Sequence, residues 1–438
     1  MLDRRIVPYQ HKILPFKLTP PVKRVLPNGL PVFIFDNDRL DLIHFSLRIQ
    51  AGALFEGEKS LANTTYNLLT ESVPNLTSGD VEDKLDFYGA VFQSAVNFEF
   101  VTLSFIIPKS TIKNILPFIS SMITSPNYRN ESLDLYKQRK IKELEYNSQK
   151  VSYRANQLLF NTFLNPDLAT SQILTKDRIA ALTTEMLQQY HQATFCVENS
   201  SLFVSGNLDQ EILLLIEECF VQIPSGEKSK WIENLLIDEK KGAKIIEKRE
   251  ESLQSSIMIA RPAMAYEDPS RRSFSIVSTI LGGYFGSRLM QNLREKNGYT
   301  YGIQATSTYF GDRSLFYLCS EVNIDKTQDA IDECRHEMTR LAEQLIESDE
   351  LQTVKNYMEA ALLRKLDGSV DYMRQYMLWS ASGLNETEFE LTKQAIAEIT
   401  PEQIMTIAGQ LMNPEDYTTI IVGNNTKKTQ KNTYGNSI

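Results

Sequence analysis

Histidines and cysteines are the side chains best suited to hold a transition metal, and this chain of 438 residues has four of each. His11, His44, His191 and His336 are scattered, with no pair at the i, i+3 or i, i+4 spacing that stacks two imidazoles on one helix face. They read as surface or sheet histidines. Cys196, Cys219, Cys319 and Cys334 form no C-x-x-C pair and sit in apolar or helical contexts, so they read as reduced, structural thiols. No G-x-S-x-G elbow and no phosphate-binding loop occurs. The chain therefore offers no metal site and no nucleophile of its own. Any chemistry the chain supports must then rest on other polar side chains, such as guanidinium and phenol hydrogen-bond donors.

Those groups need a scaffold, and the length exceeds the roughly 250–300 residues at which a single core stops growing. Two or more domains are expected. Hydrophobic residues at 42% and charged residues at 23% suit ordinary globular cores. A net charge of −9 argues against nucleic acid as a partner, since phosphate binding needs a basic face. No apolar stretch of about 18 residues is present. The expectation is a soluble, cytoplasmic protein that engages neither membrane nor nucleic acid.

Along the chain, the Asn28-Gly29 turn leads into strands at Leu30–Phe35 and His44–Ile49. A helical stretch over about 60–72 and a second after Gly79-Asp80 follow, then strands at Val91–Ala95 and Phe98–Ile107. The apolar strand ending at Gly206-Asn207 returns at Gly423-Asn424, 217 residues later, and Phe45–Ile49 has a counterpart in Ser256–Ala260. Recurrence at one long period points to a duplicated domain. The expected division is residues 1–223, a polar linker at 224–243, residues 244–424 and a disordered tail at 425–438, the last rich in Asn, Lys and Thr.

The run from Ile280-Leu281-Gly282-Gly283 through Ser287-Arg288-Leu289 to Leu293-Arg294-Glu295-Lys296-Asn297-Gly298-Tyr299-Thr300-Tyr301 resembles the pitrilysin/insulinase-type zinc peptidases, the inverzincins. The first half agrees, with Asn28-Gly29-Leu30, Ala51-Gly52-Ala53-Leu54-Phe55-Glu56 and Leu61-Ala62 in the family's order. The resemblance implies an α+β fold of two homologous α/β sandwich domains, each a mostly antiparallel sheet covered by helices on one side. It also implies where zinc would sit. Active members read Leu-Ala-His-x-x-Glu-His, whereas this chain reads Leu61-Ala62-Asn63-Thr64-Thr65-Tyr66-Asn67. Asn63 and Asn67 replace both imidazoles, Tyr66 replaces the general base, and an amide oxygen is a poor zinc donor. The third ligand position falls at Glu143, 76 residues after Asn67, with Glu145 beside it.

Two-chain members of that family divide the work, one subunit holding zinc and the other supplying the arginine and tyrosine. By this resemblance the chain is the non-catalytic, zinc-free subunit of a heterodimeric peptidase, with Arg294 and Tyr301 completing the site of a homologous zinc-binding partner. It would bind peptide substrate, with Asn97 and Phe98 in the sheet-edge segment Val96-Asn97-Phe98 that family members lay along the peptide. Two other readings stand beside it: a structural or assembly subunit, and a stand-alone peptide-binding protein that self-associates.

Overall fold

The computed structural model describes residues 17–423 apart from 38, 40, 232–233, 237–240 and 312. His11 and the tail at 425–438 lie outside the described residues. Eleven strands form two sheets of equivalent topology. The first contains β1 (Val22–Val25), β2 (Pro31–Asp36), β3 (Leu42–Ile49), β4 (Val91–Val96), β5 (Val101–Pro108) and β6 (Ser200–Gly206), in the order β1-β2-β6-β3-β5-β4. The second contains β7 (Lys244–Lys248), β8 (Gln254–Ala263), β9 (Thr300–Phe310), β10 (Arg313–Asn323) and β11 (Thr418–Gly423), in the order β7-β11-β8-β10-β9. In each sheet the strand closing the half runs parallel to its first long strand and antiparallel to the next, β6 between β2 and β3, β11 between β7 and β8.

The internal repeat extends to single residues. Gly206 and Gly423 end β6 and β11 at φ of 149° and 139°, in the region that favours glycine. A Cβ at Gly206 would stand 2.8 Å from the Leu42 carbonyl oxygen, and one at Gly423 would stand 2.7 Å from the Ser255 Cα. Thr183 and Thr400, also 217 apart, both cap helices that lead back to these strands. The Thr183 hydroxyl accepts from Met186 N at 3.3 Å, and Thr400 accepts from Gln403 N at 3.3 Å in a full capping box.

Both faces of each sheet are covered. Alternate residues of a strand point to opposite faces, and Val32, Ile34, Leu202 and Val204 enter the core formed with the first half's own helices, notably Ile112–Thr124 and Gln210–Phe220. Phe33, Phe35 and Phe203 point the other way and meet Met373, Tyr376 and Met377 of helix Ser369–Ala381, which belongs to the second half. The second sheet reciprocates. Ile257, Ile259 and Ile421 face their own helices, while Met258, Ala260, Ile420 and Val422 pack on Val151, Ala155 and Leu159 of helix Val151–Phe163 from the first half. The family resemblance implied helices on one side; the exchanged helix supplies the other. This double burial explains the near-continuous apolar runs of β2, β6 and β11.

The polar stretch after Pro224 is bound down where it is described. Val197 N donates to Pro224 O at 3.0 Å, Ser229 N to Asn199 Oδ1 at 2.7 Å, and Trp231 packs on Phe55 with ring centroids 5.6 Å apart.

Gly206→Ala and Gly423→Ala should each lower stability by about 2 kcal/mol or more, since both backbone strain and a steric clash are introduced. Urea midpoints of the two variants check this; a wild-type midpoint in either would remove the equivalence drawn between the two strand ends.

Candidate active site and its degenerate metal position

The segment Leu61–Asn67 forms one short helix, followed by a 3₁₀ turn at Leu69–Glu71, rather than the single longer helix expected over 60–72. It begins where the Glu56 carboxylate accepts from Ala62 N at 3.1 Å. Burial drives the Glu56 carboxyl up to about 7, with Lys59 and the backbone N–H groups of residues 60–62 acting in the opposite direction. Lys59 in turn donates to the Thr170 carbonyl oxygen.

Tyr66 points inward from this helix. It is fully buried, its hydroxyl lies 2.8 Å from Thr194 Oγ1, and its ring meets Tyr190 edge-on at 6.4 Å. Thr194 Oγ1 donates to Tyr190 O, so the phenol is the donor toward Thr194. Burial raises the Tyr66 phenol far above its ordinary range. It is a core residue and cannot act as a base near neutral pH.

Asn63 and Asn67 stand one turn apart on the half-buried side. The Asn63 Oδ1 accepts from the Tyr136 hydroxyl at 2.9 Å. Asn67, Glu71, Tyr136, Arg139, Lys140 and Glu143 line a cavity of about 300 Å³. Glu143 does come to this cavity on helix Asn130–Ser148, but it accepts from Lys140 Nζ at 3.0 Å, and Glu71 pairs with Arg139 at 2.5 Å. Glu145 is elsewhere, paired with Lys176. Two amides, two neutralised carboxylates and two cations do not fit a zinc ion. Among the described residues no cluster of three or more His, Cys, Asp or Glu could hold a metal. Tyr136 and Lys140 were missed in the sequence, although both lie on one helix at i−7 and i−3 from Glu143, the spacing of a shared face.

The histidine reading needs one correction. His191 lies on helix Thr184–Thr194, buried, with Nε2 3.0 Å from Ile123 O and its ring stacked on Phe195 at 4.7 Å. Burial lowers it to about 4, so it is a neutral core residue. His44 is half-buried in β3 and His336 is exposed.

Asn97 and Phe98 are also corrected. The strand expected over Phe98–Ile107 begins at Val101, and residues 97–100 form the β4–β5 turn. The Asn97 Oδ1 accepts from Glu99 N at 2.9 Å and Phe100 N at 2.7 Å, while the backbone of 97–99 bonds Gly52, Ala53 and Leu54. Phe98 packs between Phe160 and Phe310, each with ring centroids 4.8 Å away, at the junction of the halves. Phe98 is held in that junction, and the Asn97 Oδ1 is engaged within its own turn. The unpaired edge is β4 itself, Val91–Val96, which lies against the degenerate helix.

In the second half, Thr279–Gly283 and Met290–Lys296 are π-helical, a conformation frequent at functional sites. Arg294 lies on the latter with its guanidinium 4.7 Å from the Phe285 ring centroid and Nε 3.5 Å from Glu295 Oε1. Tyr301 opens the edge strand β9 with 89% of its surface exposed, and its hydroxyl has no partner among the described residues. Phe285 is exposed as well.

A family model described as the peptidase M16 inactive domain matches residues 181–358. An uncharacterized zinc protease of Rickettsia bellii is 21% identical over 342 residues, covering 77% of this chain and 82% of that protein. The mitochondrial cytochrome b-c1 complex subunit 2 of Homo sapiens is 21% identical over 366 residues, covering 80% and 78%. Among solved structures, a peptidase M16 inactive domain from Pseudomonas fluorescens superposes with a TM-score of 0.85 at 20% identity, covering 93% of this chain and 98% of its own. The periplasmic protease PqqL from Escherichia coli gives 0.76 at 14% identity, with 97% of this chain covering 49% of that one.

Two outcomes follow from the local chemistry. Equilibrated with micromolar zinc and then desalted, the purified chain should retain well under one equivalent of metal by elemental analysis; stoichiometric zinc would contradict the donor set. Glu56 is an acid whose folded pKa is raised, so its contribution to stability is complete below pH 4.5 and is lost as pH rises through about 7. The loss amounts to about 3 kcal/mol. Glu56→Gln should therefore gain on the wild type at pH 8 relative to pH 5 in urea titrations, and an equal difference at both pH values would remove Glu56 as the titrating group.

Proposed function

We propose that the chain, of which residues 181–358 match the peptidase M16 inactive domain, is a zinc-free subunit of a two-chain peptidase of that type. Its homologous partner carries the zinc. This chain binds peptide and presents Arg294 and Tyr301 to the partner's site.

The observation that carries this reading is a contrast between the two halves. Around Asn63, Tyr66 and Asn67 protein contacts answer most of the polar groups: Tyr136 holds Asn63, Thr194 receives Tyr66, and Lys140 pairs with Glu143. Around Arg294 and Tyr301 the polar groups are left open, with Tyr301 89% exposed. Exposed phenol and guanidinium groups become useful when a second surface covers them, because a hydrogen bond to a developing oxyanion strengthens once water is excluded. Arg294 is suited to hold the substrate's carbonyl or carboxylate, and Tyr301 to donate to the tetrahedral oxygen. The length relation supports pairing: the chain spans 49% of PqqL, so two such chains equal one of that size.

A second reading, a structural subunit without hydrolytic role, is favoured by one observation, the similarity to cytochrome b-c1 complex subunit 2 over 80% of this chain. The two readings part on the same assay. Co-expressed with a zinc-binding homologue that has an intact His-x-x-Glu-His, the wild-type chain should raise peptide hydrolysis. Arg294→Ala and Tyr301→Phe should lower kcat by about 10²–10³ while leaving the complex assembled. Unchanged turnover in both variants, or no activation by the wild type, would leave the structural reading.

A further inference from the structure

The second half holds a cavity of about 440 Å³ between helix Ser270–Ser278, the π-helical Thr279–Gly283, helices Ser348–Arg364, Ser369–Ala381 and Thr387–Glu398, and β9. Residues from both faces of β9, Gln304 and Thr306 on one and Ala305 and Ser307 on the other, border it, so the cavity reaches the strand.

Its charge is unbalanced. Glu388, 2% exposed, is the one carboxylate in its lining, and that charge is already spent. Arg272 donates to both of its oxygens at 2.8 and 2.5 Å, Thr392 Oγ1 donates at 3.0 Å, and Arg271 Nη2 lies 2.5 Å from Oε1. Burial pushes the Glu388 carboxyl up, and the two arginines outweigh it and hold it below the usual range. Arg271 is 8% exposed, its Nε donates to Tyr266 O and its guanidinium stacks on the Tyr266 ring at 4.1 Å, which leaves Nη1 without a partner among the described residues. Lys365 adds a second cation at the exposed rim, and the amide of Gln375 lines the wall. A buried guanidinium with a spare donor, a rim ammonium and neutral amides and hydroxyls form a receptor for a carboxylate.

We propose that this cavity binds a carboxylate of a peptide laid in extended form along the free edge of β9, the peptide pairing with the strand while its anionic group enters beside Arg271 and Lys365. The inference rests on the reading that this chain handles peptides, and it names acidic or carboxyl-terminal peptides as the class. Edge pairing supplies affinity without sequence preference. The cavity supplies the preference.

The test uses the full chain and four fluorescent peptides of one sequence: Glu or Gln at a central position, each ending in a free acid or an amide. Binding is read by anisotropy. A side-chain source predicts that Glu→Gln weakens binding at least tenfold, and a terminal source predicts that amidation does so. Arg271→Gln would leave Glu388 with fewer partners and endanger the fold, so the variant is Lys365→Glu at the exposed rim, with thermal unfolding as a control. It should abolish the preference, so that the acidic peptides bind no more tightly than the Gln amide peptide. Equal binding of all four peptides to the wild type overturns the cavity and leaves the peptide reading intact; binding of none overturns both.

Discussion

The whole arrangement depends on Arg48. It projects from the central strand β3 of the first sheet, donates to the Met377 carbonyl oxygen and to Ser380 Oγ at 3.1 Å on helix Ser369–Ala381, and lies between the Phe100 and Phe203 rings at 4.9 and 5.1 Å. Burial lowers its pKa to about 10, with Glu99 opposing, so it stays charged at neutral pH. A buried cation is tolerated only where every donor is answered. Here the last turns of a helix supply the Met377 carbonyl, which also accepts from Ser380 Oγ at 3.2 Å, and the helix end favours a positive charge. Helix and strand belong to different halves, so the two cannot separate without exposing both. Glu99 makes a parallel link, accepting from Gly311 N in the β9–β10 turn of the second half.

Asn63 and Tyr66 are each matched to their neighbours. An imidazole at position 63 would meet the Tyr136 hydroxyl, and a glutamate at 66 would enter a core where Tyr66 now finds Thr194, Tyr190 and His191. The amide and phenol each satisfy a neighbour, and Lys140 supplies the positive charge that Glu143 would otherwise lack. Restoring the three first-half residues alone would thus leave partners in the helix Asn130–Ser148 and in the core unmatched.

Much of the fold was legible in the sequence because its signals are local. Strand periodicity, the Gly-Asn strand ends and the 217-residue repeat all find their elements in β2, β3, β6, β8 and β11. The α+β class and family followed from the strings around Asn63 and Arg294. What escaped was long-range. The sequence of helix Val151–Phe163 gives an apolar stripe but not which sheet it meets. Phe98 was misread because an aromatic after a strand looks the same whether it faces a ligand or the junction of two halves. His191 was misplaced because nothing local marks a histidine as buried. Glu56 was visible only as the end of a strand, and its role at a helix start needs the loop Gly57–Ser60 to bring it back.

The exchanged helices bear on how such a chain could arise. Each sheet has one face of its own and one completed by a helix lying 218 residues away in the repeat, Val151 in one half and Ser369 in the other. That reciprocity is the geometry of a domain-swapped dimer joined end to end. A single half would carry a naked aromatic face on its sheet and a stray amphipathic helix, and two identical copies would cure each other. The covalent join at residues 224–243 converts a concentration-dependent association into an intramolecular one, and it allows the two halves to differ, one with Asn63 and Tyr66 matched to their neighbours, the other with an exposed tyrosine.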